Sequence, residues 1–184
     1  MNLLSPQTQF SRPILDRVKQ SLFDCLTKYN MPAGKIVADV FCGVGSLGLE
    51  ALSRGAEFVA FFEKYPKTAS ILKQNIEKAG FQRKSKVYFK DAFKMGAILV
   101  EGKPKYDLIF VDPPYIRTNA VGAGSDLDKL LKILVDQAAD NGLVIVRTHK
   151  KIVLPDIYSG FKIIDRREWG SMAITFLVRK TNDK

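Results

Sequence analysis

Short apolar runs alternate with amphipathic stretches along most of this chain. The run 36–42, Ile-Val-Ala-Asp-Val-Phe-Cys, is too short for a core helix and is stopped by glycine, so it predicts a buried strand. Further runs of this kind lie at 57–63, 86–90, 107–112 and 143–147. Between them the spacing turns helical. Ile14, Leu15, Val18, Leu22, Cys25 and Leu26 share one face of a helix over 13–28, with Ser11 as cap and Pro13 in the first turn. Asn30, Pro32 and Gly34 end it. Residues 49–53 continue a glycine turn as a second helix, and Pro66 opens a third that Gly80 stops. Residues 93–100 and 126–139 read as two more, the last broken at Asn141-Gly142, while 117–125 is a loop of small residues. Two strand-like runs, 161–169 and 172–179, close the chain around Gly170-Ser171, a hairpin signal. Strand and helix in alternation predict an α/β fold, a mostly parallel sheet of seven strands ending in an antiparallel hairpin.

The 184 residues suffice for one domain with its own core, and no repeat or linker divides them. Residues 1–10 read as a flexible arm and 11–30 as a lead helix. Charge changes the picture more than composition does. The net charge of +10 favours a polyanionic partner, most simply nucleic acid. The surplus is uneven, with eleven Lys/Arg against four Asp/Glu in 63–105, and Arg83, Lys84, Lys86 and Lys90 form a candidate phosphate-contacting patch. Cys25 and Cys42 have no metal-ligand spacing and read as core residues of a reduced compartment. A single histidine, His149, leaves no His-based metal site and reads as a solvated strand-end residue. The N-terminus lacks the layout of a signal peptide and no apolar run is long enough to span a membrane, so a cytoplasmic protein is expected.

The chemistry gathers where strands end. Asp112-Pro113-Pro114-Tyr115 follows the fourth strand, and two prolines in succession make a stiff turn there. In an open parallel sheet that end is where ligands sit. A planar group bearing an amine suits the turn: Tyr115 can stack on its face, while Asp112 and the Pro113 carbonyl accept from its NH2. Gly43-x-Gly45-x-x-Gly48 matches the dinucleotide fingerprint, and Glu63 lies twenty residues after Gly43, where a carboxylate accepts from ribose hydroxyls. Three features turn the reading away from NAD. Asp39 interrupts the strand before the glycines, the third and fourth strands each end in an acid (Asp91 and Asp112), and the terminal hairpin adds an antiparallel strand.

Together these features resemble the Rossmann-like plan of class I S-adenosylmethionine (AdoMet) methyltransferases. Residues 11–23, Ser-Arg-Pro-Ile-Leu-Asp-Arg-Val-Lys-Gln-Ser-Leu-Phe, are similar to the lead helix of bacterial 16S rRNA guanine-N2 methyltransferases of the RsmD type. Residues 40–56, from Val40-Phe41-Cys42-Gly43 to Arg54-Gly55-Ala56, resemble that family's first motif, and Asp112-Pro113-Pro114-Tyr115 its catalytic motif. The resemblance implies an AdoMet-dependent enzyme that methylates the exocyclic N2 of a guanine in small-subunit rRNA, with 16S rRNA or the assembling subunit as partner. It implies that the turn of Gly43, Gly45 and Gly48 cradles the methionine end of AdoMet. Asp39 would take its amino group, Glu63 its ribose and Asp91 its adenine, with Phe41, Ser46 and Ala92 as further contacts. Asp112, Pro113, Pro114 and Tyr115 would hold the flipped base. Arg12 and Arg17 would touch cofactor or phosphates, unless Arg17 pairs with Asp16 or Glu50.

The chain departs from the family in three places. Only about ten residues precede the first helix, Ile14 stands for a usual threonine, and Arg147-Thr148-His149 occupies a position that commonly carries an acid. The Pro-Pro motif is shared by amino-methyltransferases acting on other RNA, DNA or protein, and these stay open as alternatives. So does a non-catalytic RNA-binding assembly factor. Trp169 and Phe161 read as hairpin packing.

Overall fold

The structure, a computed structural model, describes residue 4 and residues 14–179. Five strands run parallel: β1 (Ile36–Val40), β2 (Phe58–Phe62), β3 (Ser85–Tyr88), β4 (Tyr106–Val111) and β5 (Ala138–His149). Three more continue the sheet in antiparallel sense: β6 (Ile157–Tyr158), β7 (Phe161–Trp169) and β8 (Met172–Arg179). The order across the sheet is β3-β2-β1-β4-β5-β8-β7-β6. It reverses direction between β1 and β4, the crevice where open α/β sheets take their ligands.

Helices α1 (Asp16–Leu26), α2 (Ser46–Ser53) and α3 (Pro66–Lys78) pack on one face, and α4 (Ala92–Met95) and α5 (Asp126–Gln137) on the other. Side chains alternate between the two cores along each strand. Val37, Val59, Phe61, Leu108, Phe110, Leu143 and Ile145 face α1–α3. Ile36, Ala38, Val40, Ala60, Ile109, Val111 and Val146 face α4–α5. Each large side chain fully buried in this way, Phe61 or Phe110 for example, contributes roughly 1.5–3 kcal/mol. The same alternation sends Asp39, Glu63, Asp112 and Arg147 toward the α1–α3 face, each at or just beyond the carboxyl end of its strand.

The structure corrects several expectations. Among the described residues the sheet has eight strands rather than seven, because the two-residue β6 pairs with β7. The helix expected over 93–100 spans only Ala92–Met95. Gly96 turns the chain at φ +62°, and Gln137 from α5 accepts from Ala97 N at 2.6 Å while donating to the Met95 carbonyl at 3.0 Å. Asn141-Gly142 does not end a helix. α5 stops at Gln137, and β5 starts at once with an irregular stretch in which Asn141 takes φ +61°. Helix α2 begins at Ser46, so Gly48 lies inside it rather than in the turn. Phe161 and Trp169 are packing residues of the hairpin, as expected, but of opposite cores. A register irregularity between Ile163 and Asp165 inverts the alternation, leaving Phe161 in the α4–α5 core and Trp169 against the α1–α3 core. Ser11, Arg12, Pro13 and all of the expected arm except Leu4 lie outside the described residues.

Candidate active site

The crevice is built on a carboxylate that the fold has desolvated. Asp39 is 1% exposed, and its Oδ2 accepts from Gly48 N at 2.8 Å. Burial pushes its carboxyl up to about 8; the Gly48 N–H pulls it down, and the charges of Asp112 and Glu63 push it further up. That mutual influence shows that three of the four predicted acids share one site. Glu63 is also buried, and its two oxygens fix two stretches of backbone: Oε2 accepts from Gly43 N at 3.1 Å and Oε1 from Tyr65 N at 2.8 Å. Each carboxylate oxygen so engaged keeps a further lone pair for a ligand. The buried Cys42 thiol is pushed well up by burial and by the same two acids, Asp39 and Glu63, so it stays protonated.

The three glycines do different work. Gly43, at φ +55°, has nothing within 4 Å of where a Cβ would stand, so its backbone faces open space. A Cβ on Gly45 would lie 2.4 Å from Leu72 Cδ1, and one on Gly48 would lie 2.3 Å from Phe61 Cε1. Gly43 therefore leaves the turn's backbone uncovered, whereas Gly45 and Gly48 let α2 and α3 close on the sheet. Ser46 is the first residue of α2, and its hydroxyl lies 3.5 Å from Lys19 Nζ.

Beyond β4, Pro113 is buried and Pro114 exposed, and Tyr115 opens a short 3₁₀ turn, Tyr115–Arg117. Arg147 Nε meets Asp112 Oδ1 at 2.5 Å, and its guanidinium carbon lies 5.9 Å from the Tyr115 ring centroid. Burial raises the Asp112 carboxyl above its ordinary range and Arg147 opposes that rise. His149, at the end of β5, stands edge-on to Tyr115 at 6.2 Å and accepts from Lys151 N through Nδ1.

Asp91 caps α4, its Oδ1 accepting from Phe93 N at 3.1 Å, with Ala92 buried behind it. Phe93 and Phe41 contact ring to ring at 4.6 Å. The Arg117 guanidinium covers Phe93 at 4.6 Å and pairs with Asp126 at 2.6 Å. Arg17 is exposed, and its expected partners are taken: Asp16 by Lys19 and Glu50 by Arg54.

Three residues escaped the sequence reading. Arg147 was visible as an odd cation after the fifth strand, but not as the partner of Asp112. Phe93 carried no signal. Asn75, buried on α3, donates from Nδ2 to the Val44 and Leu4 carbonyls and accepts from Leu4 N, which ties the glycine turn to the N-terminal segment.

A family model described as conserved hypothetical protein 95 matches residues 1–178. The chain belongs to this family. Membership bears out the RsmD-type resemblance. Ribosomal RNA small subunit methyltransferase D of Escherichia coli K12 is 29% identical over 179 residues, 95% of this chain and 83% of that protein. A Bacillus subtilis protein provisionally named rRNA methyltransferase YlbH is 25% identical over 173 residues, 92% of this chain and 89% of its own. Among solved structures, the Escherichia coli protein provisionally named methyltransferase yhhF superposes with a TM-score of 0.77 at 24% identity, over 98% of this chain and 92% of that one. Family and superposition together make this a class I methyltransferase fold, as its sheet order also indicates.

Proposed function

We propose that this chain is an AdoMet-dependent methyltransferase, a single domain working in the cytoplasm, that modifies the exocyclic N2 of a guanine in small-subunit rRNA. The observation that carries the reading is the placement of Asp112-Pro113-Pro114-Tyr115 at the end of β4, with Asp112 in electrostatic reach of Asp39 beside the open backbone of Gly43. A site of clustered carboxylates next to bare backbone fits a cationic ligand that also carries hydroxyls. AdoMet is such a ligand, and bound there it supplies a methyl group already activated on a positively charged sulfur.

In this reading the Gly43 turn and Asp39 hold the amino-acid end. Glu63 offers its remaining lone pairs to ribose hydroxyls, and Asp91, Ala92, Phe41 and Phe93 line the adenine side. Asp112 and the Pro113 carbonyl accept from the two hydrogens of the target amine and orient its lone pair, while Tyr115 stacks on the base. Positioning of this kind supplies most of the rate when the electrophile is already reactive. After transfer the surplus proton leaves the nitrogen, with Asp112 as the nearest acceptor. The relatives' names support rRNA as the substrate class.

The deciding experiment is methyl transfer from labelled AdoMet to small-subunit rRNA, and to 30S particles from cells lacking the protein. N2-methylguanine is the expected product. Asp112→Ala should lose about a hundredfold in turnover while AdoMet affinity stays within about twofold. Turnover that survives Asp112→Ala, or label appearing in another nucleotide, overturns the assignment.

A further inference from the structure

Exposed lysines without an ion pair to a described residue occur on several parts of the surface, and the β2–β3 flank is set apart by the exposed rings that accompany them. Lys19, Arg54, Lys103, Arg117, Lys132 and Arg147 each hold a carboxylate. On the β2–β3 flank, Lys64, Lys67, Lys73 and Lys90 are exposed, and none is in an ion pair with a described residue. Two aromatic rings are exposed among them, Tyr65 at 57% and Phe89 at 45%. Lys64 Nζ lies 5.0 Å from the Tyr65 centroid and Lys73 Nζ 4.7 Å from that of Phe89.

The two rings sit at the rim of the crevice. Tyr65 follows Glu63 and binds it through its backbone N–H, and Phe89 follows Tyr88, whose carbonyl accepts from Glu63 N at 3.1 Å. An edge strand such as β3 gains protection from lysines, which explains Lys86 on the strand itself. It does not explain exposed rings beyond the strand ends. Unpaired cations interleaved with accessible aromatic faces are what single-stranded RNA needs, phosphate on the lysines and base on the ring.

We propose that the flank formed by Lys64, Tyr65, Lys67, Lys73, Phe89 and Lys90 is the docking platform for an unpaired stretch of the RNA substrate next to the nucleotide held at Tyr115. The inference rests on the RNA reading above. The platform supplies affinity and the Asp112 turn supplies chemistry.

The test measures binding of a small-subunit rRNA transcript as a function of salt, together with AdoMet binding by calorimetry, for wild type, Lys67→Glu/Lys73→Glu/Lys90→Glu and Phe89→Ala. The triple variant should bind RNA at least about tenfold more weakly, with a log–log salt slope shallower by about 2. Phe89→Ala should lose affinity with the slope unchanged. Both should keep the wild-type AdoMet affinity and melting temperature. RNA binding equal to wild type in both variants overturns the platform. So does a loss of AdoMet affinity that matches the loss of RNA affinity, since it would place the flank in the cofactor site. Wild type that binds the transcript through this flank but methylates no RNA would instead defeat the proposed reaction and leave the platform standing.

Discussion

Arg147 and Asp112 lie one residue beyond a matched pair in the parallel sheet, Val111 beside Val146, and the guanidinium closes on the carboxylate at 2.5 Å. The strand register therefore delivers a cation to the group assigned to orient the substrate amine. Burial alone would favour a protonated Asp112, which would donate where the proposed reaction has it accept, and Arg147 works against that.

Replacing Arg147 by methionine should push the Asp112 carboxyl still higher. The proposed reaction uses the ionised form, so the acid limb of the pH–rate profile should move to higher pH, with kcat near neutrality down about tenfold and AdoMet affinity little changed. Arg147→Lys should restore part of the limb. Removing one partner of a nearly buried pair should also cost on the order of 3 kcal/mol of stability. A lowered melting temperature with an unshifted pH profile would reduce Arg147 to a structural role.

Gly48 is a steric requirement rather than a conformational one. A methyl there would stand 2.3 Å from Phe61 Cε1 and 3.0 Å from Asp39 Oδ2. Gly48→Ala should cost about 2–3 kcal/mol in denaturant unfolding. The double variant with Phe61→Leu should recover part of that loss, a non-additivity expected only of side chains in direct contact. Simple addition of the two costs would mean that α2 shifts instead.

Much of the site was legible because a strand alternates with a fixed period. Asp39, Glu63 and Asp112 all fall where alternation and strand ends coincide, and the structure joins them around one crevice. Arg147 was hidden because its partner depends on the register of β5 against β4, and there two steps along β4, Tyr106 to Leu108, answer five along β5, Ala138 to Leu143. No local pattern encodes such an offset. The short α4 failed for a related reason, since the side chain that ends it, Gln137, arrives from α5. The opposite placement of Phe161 and Trp169 likewise turns on one irregularity in β7, invisible to a count of residues.

Asp128 organises the loop that follows the Asp112–Tyr115 turn. It accepts from Ser159 Oγ at 2.6 Å, Lys132 Nζ at 2.9 Å and Gly124 N at 2.7 Å. Those donors, Ser159 first, hold its carboxyl down to about 2, from 3.8. The ionised form is thus favoured by folding, so its stabilisation is complete above about pH 4 and disappears as pH falls toward 2. Asp128→Ala should cost on the order of 1–2 kcal/mol at pH 7 and progressively less in acid. Melting curves from pH 7 down to 2.5 would show the two proteins converging. A gap that stays constant with pH would mean that packing, not charge, is lost.

Asp39 has the opposite sign: its burial costs stability as pH rises. Its carboxyl holds a proton up to about pH 8 in the folded chain, against 3.8 ordinarily. Between those values the native state binds the extra proton, so stability falls as pH rises through the window and levels off above it. Asp39→Asn keeps an oxygen for the Gly48 N–H and has no proton to lose. The variant should melt higher than wild type, by a margin that widens from pH 5 to 8 at up to about 1.4 kcal/mol per pH unit. The same change removes the charge that a cationic ligand would draw out. Wild type should therefore release protons on binding AdoMet at pH 7, measurable by calorimetry in buffers of different ionisation heat, and the variant should bind weakly with no release. A variant that is less stable than wild type at pH 8, or that binds AdoMet as tightly, would show that the buried acid is held by contacts other than Gly48 and is no anchor for the ligand.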